Sequence, residues 1–350
     1  MKQSLKIASV FIGTIVGAGL ASGQEILQFF ARFGLSGFIG IAICFFMYII
    51  SFIVIIRLCI RNTYRSYKDI ITSVLGKKLG GIIDFFLTIF IFGSSIIMIS
   101  GGGAMLKEYA DLPYYVGIII MCFLVFIMAI FSTGGIITLN SLVVPFSTLT
   151  IGLLGVLVLT KNGSSGLSIL WSYKGSSGSP YLSTLLYASF NILGATGVLC
   201  PMIYESEDKD NFLRGCIIGS IVLTILAISI SFSILVCAPG SMESEIPNLY
   251  IARSFGRIYA FITTMIIWLE MFSTEISDVY SLSKRLQYSF KLPYAACLLI
   301  IMGLTVPFAF IGFSRLIKLL YPPFGAVSLV FVCGCIYKYL KGSSMKGKKF

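Results

Sequence analysis

The stretch that decides the fold is GTIVGAGLASGQE, residues 13–25, which lies inside the first long apolar run of the chain. Its first seven residues hold three glycines, and each glycine weakens a helix by about 1 kcal/mol relative to alanine. Close helix packing is a sufficient reason for glycines in a membrane helix. It does not require Ser22, Gln24 and Glu25, whose polar side chains are costly against lipid. We therefore predict that the first helix is interrupted here for a functional reason.

Composition assigns the chain to the membrane proteins. Of 350 residues, 57% are hydrophobic and 11% are charged, whereas about a quarter of a soluble domain is charged. A bilayer-spanning helix needs about 20 apolar residues, so the chain has room for about ten. This excludes a nucleic-acid-binding domain, despite the net charge of +12, and the lack of histidine excludes His-based catalysis and His-ligated metals.

Apolar runs between charged or Gly/Pro-rich segments predict ten membrane spans. They cover residues 5–33, 36–58, 79–107, 113–132, 135–160, 180–204, 212–238, 258–282, 293–311 and 313–339. With both termini cytoplasmic, most of the 26 lysines and arginines fall on the inner side, as the positive-inside rule requires. Residues 246–255, in an outer connection, are expected to form a short interfacial helix.

The ten spans divide into two five-helix repeats, residues 1–160 and 180–340. An extracellular connection at 161–179 separates them, and a basic cytoplasmic tail at 341–350 follows. An odd number of spans per repeat makes the two repeats enter the membrane in opposite senses. The sixth span carries NILGATG at residues 191–197, the counterpart of the first-span motif. The prediction is an all-α polytopic membrane protein, with helices 1 and 6 broken at mid-membrane.

Paired Gly-interrupted helices in inverted repeats point to a transporter binding site, because the freed backbone groups cannot stay unpaired in hydrocarbon. For Glu25, three roles stay open: contact with substrate, an ion pair with Arg32, or gating of the outer vestibule. The predicted substrate-binding residues are Gly17, Ala18, Gly19, Ser22, Glu25, Asn191, Gly194, Ala195, Thr196 and Gly197.

The eighth span carries polar residues on one helix face, at helical spacing: Glu270, Ser273, Thr274 and Ser277. Glu270 lies near the middle of the span, so it must be protonated or paired with a cation. Glu275 and Asp278 form a second polar strip beside this face, and Asp278 is expected to be hydrated at the inner mouth.

The motif GTIVGAG resembles the first-helix break of LeuT-type transporters. The longer run from Gly13 to Phe30 looks more closely like the YkvI-type bacterial membrane proteins, which are related to the amino acid/polyamine/organocation transporters. The resemblance implies a LeuT-like fold in the cell membrane. It also implies a sodium ion between the carbonyls of Gly13 and Val16 and the hydroxyls of Ser273 and Thr274. Glu270 departs from the family pattern, so sodium and proton coupling both stay open.

The function expected from these features is secondary active transport of a small polar or zwitterionic solute, an amino acid or an amine. Transport would proceed by alternating access, coupled to Na+ or H+, with no other cofactor. The chain has no ATP-binding loop of the GxxxxGK[ST] kind. The alternative is a ligand sensor of the same fold, similar to a germinant-receptor subunit, which binds a solute and signals without net transport. An enzyme is disfavoured because the sequence shows no nucleophile–base arrangement.

Overall fold

The computed structural model describes residues 2–131, 135–205 and 210–346, and all regular structure over these residues is helical. Ser132, the predicted end of the fourth span, and residues 347–350 of the predicted tail lie outside them. A 3₁₀ turn covers Ala31–Phe33. The α-helices are α1 (Lys2–Ile15), α2 (Ala18–Ser22), α3 (Gln24–Phe29), α4 (Leu35–Asn62), α5 (Tyr67–Ala110), α6 (Tyr114–Phe131), α7 (Gly135–Ser172), α8 (Pro180–Glu205), α9 (Asp210–Val236), α10 (Gly240–Glu243), α11 (Pro247–Arg253), α12 (Arg257–Phe290), α13 (Tyr294–Ala309) and α14 (Phe313–Lys346).

Six helices among the described residues are long and apolar enough to cross a membrane: α4, α5, α8, α9, α14 and the Val143–Gly163 part of α7. Helices α1, α6 and α13 are shorter and apolar. Helix α12 has 34 residues, so it is about 50 Å long, but acidic residues lower its hydropathy. It packs against α5, α7 and α13, which places its polar faces inside the bundle.

The first predicted span is built from three short helices. Helix α1 ends at Ile15, Val16 and Gly17 are not helical, and α2 then begins at Ala18. A second interruption follows at Gly23, whose φ of 85° belongs to the left-handed region that glycine adopts without strain. The chain therefore changes direction twice within residues 13–25.

The predicted break in the sixth span is wrong, because α8 is one continuous helix from Pro180 to Glu205. Its polar side chains hydrogen-bond back to their own helix. The Asn191 amide donates to the Tyr187 carbonyl at 3.1 Å, and the Thr196 hydroxyl donates to the Ile192 carbonyl at 2.6 Å. Two glycines cost a helix about 2 kcal/mol together, less than freeing several backbone groups in an apolar environment.

Helices also extend beyond other predicted boundaries. Helix α7 continues to Ser172 past a kink at Gly163 (φ 45°), so a non-helical link covers only residues 173–179 of the predicted connection. Helix α5 starts at Tyr67, before the predicted 79, and has a kink at Gly76 (φ 81°). Glycine adopts these angles readily, so the chain turns at each kink and the helix resumes. Helix α14 continues into the predicted tail as far as Lys346.

Helices α5 and α6 meet backbone to backbone. A Cβ added at Gly117 of α6 would lie 2.7 Å from the Gly103 Cα and 2.8 Å from the Gly102 carbonyl oxygen of α5. Glycine at such crossings lets membrane helices approach closely. This contact fixes the position of α5, whose serines face α12.

Gly117→Ala is therefore expected to lower the melting temperature of the purified protein, because overpacking costs about 1–3 kcal/mol. The control is Gly303→Ala in α13, where a Cβ would meet no atom within 4 Å and alanine favours the helix. Thermal unfolding of both variants in one detergent checks this. Equal melting temperatures would contradict the backbone contact.

Candidate functional site

The candidate site is centred on the interruption of the first span. Gly17 precedes α2 in an extended conformation, with φ −119° and ψ −172°, and no side chain caps the helix there. A Cβ at Gly17 would meet no atom within 4 Å, so this backbone borders open space. The residues of α2 that follow, including the predicted site residues Ala18, Gly19 and Ser22, are all buried.

The Glu25 side chain packs against α2. Glu25 is only 5% exposed, and its carboxyl lies where a Cβ at Gly19 would be. The absence of a side chain at Gly19 is what makes room for this carboxyl. The Tyr321 hydroxyl of α14 lies beside it, a neighbour that sequence reasoning missed, although a tyrosine before two prolines in an apolar span is a visible signal.

Glu25 and Arg32 do not form the ion pair that the sequence left open. The Arg32 guanidinium lies over the Phe33 ring, 4.6 Å from its centroid, and its Nε has no hydrogen-bond partner. The chain turns between α3 and the 3₁₀ segment, which separates the two side chains. Within the described residues, the ion pair that forms is Arg285–Asp84.

Aromatic rings pack around the Glu25–Tyr321 pair. The Tyr321 ring centroid is 5.1 Å from that of Phe190, and the Phe29 centroid is 5.3 Å from that of Tyr187. A nearby cavity of about 10 Å³ is bordered by Ile15, Leu20, Phe30, Ile41, Cys44, Tyr48, Tyr187, Leu223, Thr224 and Ala227. It has room for about one water molecule.

The predicted site residues of α8 are not gathered into one pocket. Asn191 and Thr196 bond to their own helix, and Ala195 is fully buried. Gly194 and Gly197 border space in which a Cβ would meet no atom within 4 Å. Other α8 residues reach the first span: the rings of Tyr187 and Phe190 pack against Phe29, and the Ser183 hydroxyl donates to the Phe29 carbonyl at 3.0 Å.

The first polar face of α12 lies together as predicted. The Ser273 hydroxyl donates to the Glu270 carbonyl at 3.1 Å, and the Ser277 hydroxyl donates to the Ser273 carbonyl at 3.0 Å. Each hydroxyl oxygen keeps lone pairs for a cation. Glu270 is 2% exposed, its Oε1 has no hydrogen-bond partner, and its carboxyl lies near Ser147 of α7. Thr274 is half-buried.

The predicted sodium ligands of the first span are not joined to that face by hydrogen bonds. Among the described residues, no hydrogen bond joins Gly13 or Val16 to Ser273 or Thr274. Val16 is buried at the interruption. A Cβ at Gly13 would lie 3.5 Å from the Val144 side chain of α7. The sodium set therefore stays a prediction.

The second polar strip of α12 faces α5. Ser95 Oγ donates to Glu275 Oε1 at 2.8 Å, and Ser94 lies beside the Asp278 carboxyl. Glu275 Oε2 and Asp278 Oδ2 are buried and have no hydrogen-bond partner. The expectation that Asp278 is simply hydrated is therefore wrong for this oxygen, because α5 covers it.

Residues 240–253, which we call the covering segment, lie over the first span. The predicted short helix is present as α11, and five of its seven residues are buried against the rest of the protein. Asn248 Nδ2 donates to the Ala21 carbonyl at the end of α2, at 2.8 Å. Its Oδ1 would be 2.9 Å from a Cβ at Gly23. Sequence reasoning missed Asn248; its signal was an amide between apolar neighbours.

Two carboxylates hold the covering segment to the helix ends. Glu108 of α5 accepts hydrogen bonds from the Ser244 hydroxyl at 2.9 Å, the Glu245 N–H at 2.7 Å and the Ile246 N–H at 3.3 Å. Glu245 accepts from the Phe313 N–H of α14 at 3.2 Å. Burial raises the pKa of Glu245; the Phe313 N–H opposes this, and the neighbouring Glu108 carboxylate adds to it.

Sequence comparison gives relatives over nearly the full length. No known family profile matches the chain. It is 30% identical over 337 residues to the uncharacterized membrane protein YkvI of Bacillus subtilis, covering 95% of each chain. The chain belongs to the YkvI family. The uncharacterized protein YyaD of the same organism is 26% identical to this chain over 340 residues, covering 97% of this chain and 98% of YyaD.

Solved structures with similar folds are transporters. The inward-facing conformation of Mhp1 matches with a TM-score of 0.66 at 12% identity, covering 93% of this chain and 75% of Mhp1. MhsT in complex with L-phenylalanine matches with a TM-score of 0.64 at 14% identity, covering 94% of this chain and 87% of MhsT. These likenesses show that this YkvI-family chain has the LeuT fold that its sequence predicted.

Gly19→Ala is expected to displace the Glu25 carboxyl and to lower the melting temperature. Forcing a methyl group into a packed site costs about 1–3 kcal/mol, and the three nearest atoms are all Glu25 atoms. Adding Glu25→Ala should therefore restore much of the loss, a coupling that a double-mutant cycle measures. Gly17→Ala, where the space is open, is the control. Additive effects of the two substitutions would exclude the contact.

The stability of the covering segment is expected to fall as pH rises. Because the pKa of Glu245 is raised in the folded protein, the folded state binds its proton more tightly, and stability declines from about pH 4.5 upward until Glu245 is ionised. Glu245→Gln should flatten this part of the melting-temperature profile. Glu243→Gln, at an exposed carboxyl of the same segment, should leave it unchanged. A Glu245→Gln profile that matches wild type would refute the assignment.

Proposed function

We propose that this protein is a secondary active transporter of a small solute that carries an amino group, an amino acid or amine, and that it works by alternating access coupled to Na+ or H+. The proposal includes ten spans in two inverted five-helix repeats, residues 1–160 and 180–340, and a cell-membrane location with both termini cytoplasmic. The LeuT fold of the similar structures, one of them a nucleobase-cation-symport-1 family transporter, supports it.

The observation that carries this proposal is the buried carboxyl of Glu25 at the interrupted helix. A carboxylate removed from water is strongly destabilised unless it is neutralised. None of the described ion pairs includes Glu25, and its hydroxyl neighbour Tyr321 brings no positive charge. A cationic amine on the substrate would neutralise Glu25 and would be recognised by it.

The surroundings of Glu25 fit the rest of such a solute. The first N–H groups of α2, which follow the uncapped Gly17, would favour a carboxylate. The rings of Phe29, Tyr187 and Phe190 offer an apolar wall that also attracts cations. MhsT was solved with L-phenylalanine, a ligand with the same two charged groups. A zwitterionic amino acid therefore matches the site best.

Two sets of residues support coupling to an ion. Gly13 and Val16 would contribute carbonyls, and Ser273 and Thr274 hydroxyls, to a sodium ion, since hard oxygens suit such cations. Glu270 is buried beside this set, and Ser277 continues the same face. A carboxyl in this position either adds a ligand to the ion or carries a proton itself.

Closure of the site supports alternating access. A cavity of about 10 Å³ beside the interruption does not hold an amino acid, and α11 covers α2 on one side. Solute therefore enters or leaves only when these helices separate. A lid that sequesters the bound ligand is common in proteins that commit a substrate before the next step.

Purified protein in liposomes is expected to accumulate at least one labelled amino acid or amine under an inward Na+ or pH gradient. Glu25→Gln should reduce this uptake by about tenfold or more, because losing a buried charge pair costs about 2–5 kcal/mol. Glu243→Gln is the control for charge alone. Saturable ligand binding without accumulation under either gradient would refute transport and favour the ligand-sensor alternative.

A further inference from the structure

We infer that Glu275 and Asp278 of α12, with Ser94 and Ser95 of α5, form a binding site for an alkali cation such as sodium. The site is separate from the predicted ion face at Glu270, Ser273 and Thr274. The inference that a cation binds here is drawn from the geometry of the α5–α12 interface alone. A role of that cation in coupling rests on the proposed function.

The oxygens of this cluster lie in the α5–α12 interface, where two of them are buried without a hydrogen-bond partner. Glu275 is fully buried, and Asp278 follows it by three residues, so both lie on one strip of the helix. Ser95 satisfies Glu275 Oε1 at 2.8 Å. Glu275 Oε2 and Asp278 Oδ2 are buried without a hydrogen-bond partner, which leaves two acceptors available to the same ligand. Ser94, beside Asp278, supplies a hydroxyl oxygen.

Among the described residues, no ion pair joins a basic side chain to this cluster. The basic residue farther along α12 on the α5 side, Arg285, is engaged elsewhere: with Asp84 at 3.5 Å, with the Thr88 hydroxyl at 2.6 Å and with the Tyr67 hydroxyl at 3.2 Å. Neighbouring carboxyls in a low dielectric do not both ionise unless a cation joins them. A bound cation would balance the negative charge of the two carboxylates and would contact the oxygens that have no hydrogen-bond partner.

The donor set selects the class of cation. Carboxylate and hydroxyl oxygens suit hard ions, but calcium takes six to eight oxygen ligands and magnesium keeps several waters. The four side chains offer too few oxygens to complete a calcium coordination shell, because Glu275 Oε1 already accepts a hydrogen bond from Ser95. Among the described residues, no group of three or more His, Cys, Asp and Glu is arranged to hold a metal. A weakly held, exchangeable monovalent ion fits the cluster.

This site lies on a different side of α12 from the predicted one. Five residues separate Glu270 from Glu275, which is about 140° around a helix. Accordingly, the Glu270 carboxyl lies near Ser147 of α7, whereas Glu275 bonds to α5. The Tyr321 hydroxyl lies within electrostatic range of both Asp278 and Glu25. Charge bound at the α5–α12 interface is therefore felt at the candidate substrate site.

Equilibrium binding of ²²Na+ to the purified full-length protein tests the inference. Choline replaces sodium to keep ionic strength constant, and the starting variant is Ser273→Ala/Thr274→Val, which removes the predicted hydroxyl ligands. This variant should still bind sodium saturably. Adding Glu275→Gln or Asp278→Asn should weaken that binding by about tenfold or more. Adding Glu243→Gln instead, at an exposed carboxyl of the covering segment, should leave sodium binding within about twofold, a change far smaller than the loss of a ligand causes.

The opposite results overturn the inference. These are no sodium binding by the starting variant, binding that survives both acid substitutions, or a site that titrates with protons and ignores sodium. If the acid variants are not monodisperse, Ser94→Ala/Ser95→Ala takes their place with the same expectation. The assay needs no transport, so failed liposome uptake with intact sodium binding would refute the proposed function and leave this site standing.

Discussion

The contact between the Glu25 carboxyl and the bare backbone of Gly19 constrains everything around the first-span interruption. A side chain at Gly19 would occupy the space of the carboxyl, and a straight helix through residues 13–25 would carry Glu25 away from α2. The interruption at Val16–Gly17 and the left-handed conformation of Gly23 therefore act together. Together they return an acidic side chain to the first turn after the break, where Tyr321 and the aromatic rings surround it.

Helix α12 also accommodates buried carboxyl groups, but without an interruption. It stays straight and helical, yet it carries buried carboxyls on two sides, Glu270 toward α7 and Glu275 toward α5. A helix of this kind is stable only as the inner element of a bundle, because lipid would not tolerate either side. Its neighbours provide serine hydroxyls rather than basic groups. Hydroxyls stabilise a carboxyl by hydrogen bonding but leave its charge to be balanced by a proton or a bound cation.

The features that were predicted correctly from the sequence are those that depend on composition or on a few neighbouring residues. The apolar runs predicted the all-helical membrane fold, and three glycines beside Glu25 predicted the first interruption. The pattern failed at residues 191–197, because Asn191 and Thr196 turn their hydrogen bonds back onto α8. Glycine spacing does not reveal which partner a polar side chain will choose. The Asn248–Ala21 and Glu25–Tyr321 contacts join residues more than 200 positions apart, and a single sequence holds no signal for such pairs.

The covering segment is joined to its neighbours by hydrogen bonds of two kinds. Its links to α5 and α14 run through two carboxylates that accept four backbone or hydroxyl donors, Glu108 and Glu245. Its link to α2 is one neutral amide bond from Asn248. Charge-assisted hydrogen bonds are about twice as strong as neutral ones, so the Asn248–Ala21 bond is a weaker link than the bonds that Glu108 accepts. Separating the covering segment from α2 would therefore cost less free energy than separating it from α5.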